Sequence, residues 1–159
     1  MVKVIIKTII IILFSSILIL GVINILKGKG QSQVYAANSS QPSNVQLLAR
    51  AINGEARGEP YEGQVAVGAV IMNRVKSSQF PNTIAGVIYQ SGAFTAVSDG
   101  QINVPIDQGS TVLKAAQDAL NGWDPTGGAI YYFNPNTATS KWIWSRPIIK
   151  TIGKHHFCR

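Results

Sequence analysis

Nineteen consecutive residues without a charge, Thr8 to Leu26 (TIIIILFSSILILGVINIL), cannot form part of a small water-facing domain. The run exceeds the ~7–15 apolar residues of a usual signal-peptide core and approaches the ~20 needed to span a bilayer. Lys3 and Lys7 precede it, and the triplet Val34-Tyr35-Ala36 offers small residues for cleavage after Ala36. Residues 1–26 are therefore expected to be a signal peptide or an uncleaved membrane anchor, and either places the remainder outside the cytoplasmic membrane. Residues 27–44 (KGKGQSQVYAANSSQPSN) hold almost nothing to bury and read as a flexible linker. What is left to fold is residues 45–159, a length that supports one modest core.

The formal charge of +7 needs the same partition. From Ala37 onward there are 10 Lys and Arg against 7 Asp and Glu, a mild surplus that suits work among anionic polymers. No basic stripe points to nucleic acid. The single cysteine, Cys158, excludes an internal disulfide.

Ser43-Asn44-Val45-Gln46 has the pattern of a capping box and predicts a helix start. Leu48, Ile52 and Glu55 follow at i, i+4, i+7, so a helix that buries the first two carries Glu55 inward with them. Gly58 and Pro60 stop that helix, and YEGQVAVGAVIMNRVKS begins another, with Val67, Val70, Ile71 and Arg74 along one side. Glu59 and Glu62 are expected at the mouth of the second helix, where its dipole favours them. A short helix is expected over Thr83–Gln90, then an aperiodic loop (SGAFTAVSDGQINVPIDQG), then a helix over Thr111–Leu120 capped by Ser110. AIYYF, KWIWSR, IIKTI and KHHFCR are β-branched and aromatic and read as strands, in which Trp142 and Trp144 share a side. Helices first and a small antiparallel sheet last make the class α+β.

All three glutamates of the chain fall between Glu55 and Glu62. A carboxyl on an apolar helix face at a cleft rim loses hydration, which favours its neutral, proton-donating form. Such a group can protonate a leaving glycosidic oxygen. A structural role, capping a neighbouring element or pairing with Arg57 or Arg74, is the alternative that spacing leaves open. Glycosidases commonly use a second carboxylate, and Asp99 and Asp107 are the loop residues available; Asp99-Gly100 is also an ordinary turn. Tyr131, Tyr132, Phe133, Trp142 and Trp144 crowd the C-terminal third, where some rings pack a core and others can cover sugar faces. Asn134 and Asn136 can orient sugar hydroxyls or make turns. His155 and His156 are adjacent on a strand and face opposite ways, so no metal site is expected. Cys158 with His156 lacks a third, orienting partner for nucleophilic chemistry.

Taken together, ARAINGEARGEPYEGQVAVGAVIMNRV, SDGQIN, YFNPNTATSKWIWSRP and IGKHHF resemble the catalytic domain of the SleB/CwlJ-like cell-wall hydrolases, the spore cortex-lytic enzymes of endospore-forming bacteria and their relatives. The likeness covers nearly all of residues 45–157. It implies a lysozyme-like α+β domain, similar to the lytic transglycosylases, that cuts peptidoglycan between N-acetylmuramic acid and N-acetylglucosamine. It implies that Glu55 is the catalytic acid, working without a cofactor, and that the muramoyl 6-hydroxyl captures the sugar cation to leave a 1,6-anhydro end. Phe94, Asp99, Tyr132, Asn134, Trp142 and Arg146 form the candidate substrate-binding set. The implied partner is the glycan strand, with the membrane as a second through an uncleaved N-terminus; the implied protein is an exported monomer of the cell wall, spore cortex or outer face of the cytoplasmic membrane. A muramidase, an N-acetylmuramoyl-L-alanine amidase and a catalytically silent wall-binding module are the alternatives. The enzyme that names the family has a further peptidoglycan-binding domain where this chain has an apolar run and a linker, so wall remodelling stands beside cortex lysis as a role.

Overall fold

The computed structural model describes residues 42–159, and the apolar run and most of the linker lie outside them. The Ser43 hydroxyl accepts the Gln46 amide at 3.4 Å and starts α1, Asn44–Ala56. The second half of the expected capping box is not made. The Gln46 side chain instead clasps the Ile106 backbone, its Nε2 donating to the carbonyl at 3.0 Å and its Oε1 accepting the amide at 3.4 Å. A long-range pair of bonds displaces the local one and pins the 106 loop to the start of α1.

α2, Tyr61–Lys76, is the central helix. Every residue from Gly63 to Ile71 is buried, together with Arg74, as expected of a helix packed on several sides. Its closest approach is at Gly68, where a Cβ would lie 2.9 Å from the Ala119 Cβ and 3.0 Å from the Ile52 Cδ1. Glycine therefore lets three helices meet at one point. α3 is the single turn Ile84–Ile88, shorter than expected, with the Thr83 hydroxyl capping Gly86 at 3.0 Å. The loop expected to be aperiodic contains α4, Thr95–Ser98, and a 3-10 turn, Gln101–Asn103. α5, Thr111–Leu120, starts on Ser110 as expected and buries Val112, Ala115, Ala116 and Ala119.

Strands β1 (Tyr131–Phe133), β2 (Ile148–Ile152) and β3 (His155–Cys158) form one antiparallel sheet in the order β1-β3-β2. Tyr132 pairs with Phe157 and Thr151 with His156, with an irregularity between Ile148 and Lys150. Period-two alternation splits the sheet between two cores. Tyr132 and Phe157 face the helices, whereas Phe133 and Cys158 pack on Ile143 in a second cluster with Tyr131 at its edge.

KWIWSR is not a strand. Lys141–Trp144 forms the one-turn helix α6, closed by the amides of Ser145 and Arg146 donating to the carbonyls of Trp142 and Ile143 just before Pro147. With Ile143 turned into the second core, Trp142 stacks against Tyr131 and Trp144 against Phe133. The two tryptophans thus sit on a helical turn in place of the expected strand, and both reach the face of β1 that carries Tyr131 and Phe133. Aromatic and β-branched composition favours a strand only where a neighbouring strand can pair with it.

Candidate active site

The three glutamates have three fates. Glu62 is exposed and meets Lys150 at 3.6 Å, a weak surface pair. Glu59 was expected at the helix mouth, but its side chain is buried. Its Oε2 accepts the Lys154 amide at 2.8 Å and lies 4.0 Å from His155 Nδ1. It thereby pegs the β2–β3 turn to the α1–α2 elbow. Gly153 at that turn has φ +57, and a Cβ there would run into the Glu59 carboxylate. Only glycine satisfies both the left-handed backbone and the close contact.

Glu55, in the last turn of α1, is half-buried and accepts three hydrogen bonds. Thr95 Oγ1 donates to Oε1 at 2.8 Å, the Ala96 amide donates to the same oxygen at 3.2 Å, and the Tyr132 hydroxyl donates to Oε2 at 3.2 Å. Its surroundings are thus polar and specific, in place of the bare apolar face expected. Two of the donors come from α4, which can lie this close because residue 54 is glycine; a Cβ there would collide with that of Ala96. Tyr132 sits edge-on to His155, with ring centroids 5.2 Å apart, and 6.0 Å from Phe157. Burial, reinforced by the negative charge of Glu55, holds its phenol well above the ordinary tyrosine pKa, so the hydroxyl stays a donor. Burial lowers the pKa of His155, with Glu59 and Glu55 pulling it back up.

Thr95 also borders a cavity of about 300 Å³ lined by Tyr89, Gln90, Phe94, Val97 and Ser98. A substrate group placed there would lie beside the residue that orients Glu55.

The other candidate residues divide. Tyr132 joins Glu55 directly. Phe94 is only 4% exposed, and its ring lies 5.4 Å from the Arg74 guanidinium, so it mainly holds that cation. The Asp99 carboxylate is engaged by Gln101, through the backbone amide at 3.0 Å and the side-chain amide at 2.9 Å. Asn134 accepts the Asn136 amide at 3.0 Å and shapes a turn. Trp142 and Arg146 stack together, 4.2 Å from guanidinium carbon to ring centroid. Among the described residues, no three His, Cys, Asp or Glu side chains converge as metal ligands. Cys158 is buried, and burial raises its thiol pKa. Thr95 and the Ala96 amide escaped the sequence reading, since a one-turn helix leaves no periodic signal.

The chain matches the cell wall hydrolase family over residues 58–158. It is 62% identical over 122 residues to the spore cortex-lytic enzyme of Bacillus cereus, covering 77% of this chain and 46% of that one. It is 61% identical over 134 residues to the spore cortex-lytic enzyme of Bacillus subtilis, covering 83% and 43%. This chain thus spans less than half the length of these curated relatives. The cell wall hydrolase CwlJ of Bacillus subtilis is 31% identical over 122 residues, covering 72% of this chain and 84% of that one. Its fold matches the crystal structure of the Bacillus cereus SleB catalytic domain, with a TM-score of 0.69 and 59% identity, over 78% of this chain and 99% of the other. The catalytic domain of the germination-specific lytic transglycosylase SleB from Bacillus anthracis gives a TM-score of 0.70 at 60% identity, over 77% and 100%. On both sequence and fold, the chain belongs to the cell wall hydrolase family.

Proposed function

We propose that this protein degrades peptidoglycan by cutting the bond between N-acetylmuramic acid and N-acetylglucosamine, as a lytic transglycosylase with Glu55 as its one catalytic carboxyl group. The observation that carries the reading is the disposition of the seven acids. Glu59 holds the β2–β3 turn, Glu62 pairs with Lys150, Asp99 is tied to Gln101, and Asp118 to Lys114 and Tyr61. Asp124 accepts from Asn73, Thr126 and Gly128, and burial, which would raise its pKa, is outweighed by those bonds, which hold it low. Asp107 adjoins Ile106, which is clasped by Gln46 at the far end of α1. At 1.5 Å of rise per residue, Gln46 and Glu55 stand roughly 13 Å apart, beyond the ~6.5–9.5 Å that an inverting pair requires. A single acid with substrate-assisted capture fits this arrangement.

In the mechanism, Oε1 accepts from two donors and Oε2 from one, which leaves Oε2 the freer oxygen to deliver a proton to the substrate. That proton passes to the glycosidic oxygen as the C1–O bond breaks, and positive charge develops on the muramoyl ring. The 6-hydroxyl of the same sugar then bonds to C1, and its proton returns to Glu55. No water is consumed, and the carboxyl group ends as it began. Thr95, the Ala96 amide and Tyr132 hold the carboxylate formed between the two transfers.

Mass spectrometry of digested sacculi tests the reading. Anhydro-ended fragments are expected, and their release should stop in Glu55→Gln. Reducing ends labelled by heavy-oxygen water would replace it with a muramidase, and freed peptides with an amidase. Undiminished digestion by Glu55→Gln would remove Glu55 from the chemistry.

A further inference from the structure

A row of stacked side chains leads away from the Glu55 site. Phe94, the neighbour of Thr95, lies 5.4 Å from the Arg74 guanidinium carbon, which also sits 5.2 Å from the Phe80 ring and 5.6 Å from that of Tyr131. Arg146 approaches the same Tyr131 ring at 5.4 Å and the Trp142 ring at 4.2 Å, and Trp142 meets Tyr131 edge-on at 5.0 Å. Exposure rises along the row, from 4% at Phe94 and 8% at Arg74 to 48% at Trp142. Two guanidiniums thus lie against one tyrosine ring.

Neither has an acidic partner: among the described residues, which include every Asp and Glu of the chain, no carboxylate lies within 4.0 Å of Arg74 or Arg146. Arg74 spends its Nε on the Ile130 carbonyl at 2.7 Å. The Arg146 side chain makes no hydrogen bond among the described residues, and its Nε is shut off from solvent without an acceptor. Aromatic rings attract a guanidinium through its flat face but give its in-plane N–H groups nothing to donate to. Leaving such donors unmet is costly, and the acceptor that matches their fork is a carboxylate. Arg146 thus lies against two rings with its Nε closed off, and its two terminal amino groups, which are not buried and have no partner among the described residues, are the donors open to a ligand.

Resting on the peptidoglycan reading above, we infer that Arg146, packed against the touching rings of Trp142 and Tyr131, is a specificity site for a carboxylate on the substrate. N-acetylated sugar rings carry no charge of their own. In a wall strand the matching group is a carboxylate of the peptide on the muramic lactyl ether or, where that peptide has been removed, the lactyl carboxylate itself. Arg74 adds a second positive charge behind Tyr131, and Trp142 supplies a flat apolar wall for the group that bears the carboxylate.

Binding to insoluble sacculi, stripped of anionic wall polymers, tests this in a Glu55→Gln background, so that turnover does not enter. Two insoluble preparations are compared by co-sedimentation, untreated and carbodiimide-amidated to block every carboxylate, and peptide-free glycan strands, soluble because their cross-links are gone and bearing the freed lactyl carboxylate, are added as competitor. The untreated sacculi should bind about tenfold more tightly than the amidated ones, the effect of one charge-assisted contact. That preference should weaken in high salt. Adding Arg146→Gln should abolish it, and Arg146→Lys, which keeps the charge but not the fork, should restore part of it. Competition by the peptide-free strands that depends on Arg146 shows that a lactyl carboxylate serves where the peptide is absent, and failure to compete assigns the carboxylate to the peptide. Equal binding of untreated and amidated sacculi, or a preference that survives Arg146→Gln, overturns the inference. Should Arg146→Gln not fold, the untreated-against-amidated comparison on Glu55→Gln decides alone. Failure of the enzymatic reading would appear separately, as a wild-type chain that releases no soluble fragments.

Discussion

Glu55 closes α1 and Glu59 follows four residues later, yet the two carboxylates meet different kinds of partner. Glu59 is buried and held by a backbone amide of the β2–β3 turn, a donor that cannot leave without opening the turn. Glu55 is half-buried, and two of its three donors are hydroxyls, from Thr95 and Tyr132, which can rotate and exchange partners as charge changes. The first arrangement suits a fastening. The second suits a group that must lose a proton and regain it while its neighbours stay in place.

Exchanging the two glutamates experimentally breaks or sharpens this contrast most strongly. Glu55→Gln is expected to lower kcat by about a thousandfold, the usual scale of a lost general acid, with little change in the denaturation midpoint. Glu59→Ala is expected to do the reverse. It should cost about 2 kcal/mol of stability, measured by urea titration, while the folded fraction keeps its rate. A stable Glu59→Ala protein without activity would show that the fastening and the chemistry are not separable.

The two glycines of the same segment provide the next contrast. A Cβ at Gly54 meets Ala96, whereas one at Gly58 meets nothing within 4 Å. Gly54→Ala must push α4 outward, and with it both donors to Oε1. A loss of roughly 1–3 kcal/mol from overpacking is expected, together with a kcat reduced tens of fold. Gly58→Ala should leave both measurements where they were. Equal behaviour of the two variants would mean that the approach of α4 does not matter to Glu55.

These neighbours also mark where sequence reasoning stops. The caps at Ser43 and Ser110, the spacing of Leu48, Ile52 and Glu55, and the break at Gly58 and Pro60 are local signals, and α1, α2 and α5 follow them. The donors to Glu55 come from 40, 41 and 77 residues away, and the partner of Glu59 from 95. No periodicity encodes such pairs. That is why Glu59 reads in the sequence only as a residue at a helix mouth and is a buried peg in the fold. α6 fails for another reason: its composition is that of a strand, but it turns Ile143 into the second core and pairs with neither outer strand of the sheet.

Tyr132→Phe tests the single donor on Oε2 while keeping the ring against His155 and Phe157. Activity should fall about tenfold, the scale of one hydrogen bond to a charged group, and the midpoint should move little. Loss of stability without loss of rate would make Tyr132 a core residue whose hydroxyl is incidental.

The smallest effect separates the two carboxylates by pH. His155 stands between them, packed on Tyr132 and near Glu59, with Lys154 beside it in the chain. Burial lowers its pKa in the folded protein, against the pull of Glu59 and Glu55. The unfolded chain therefore takes up this proton more readily than the folded one. The stability that follows is complete above about pH 6.5, the ordinary histidine value, and drains away as pH falls below it. Its slope cannot exceed about 1.4 kcal/mol per pH unit for one proton. Asp118 and Asp124, whose pKa values are lowered, add acid lability only below about pH 4. Between pH 7 and 5 the denaturation midpoint should thus fall in the native chain and flatten in His155→Gln, which keeps a polar side chain but cannot titrate. An unchanged slope would assign the loss to other groups and leave His155 as packing for Tyr132. A flattened one would show that the wall between the fastening glutamate and the site glutamate is kept neutral by its burial.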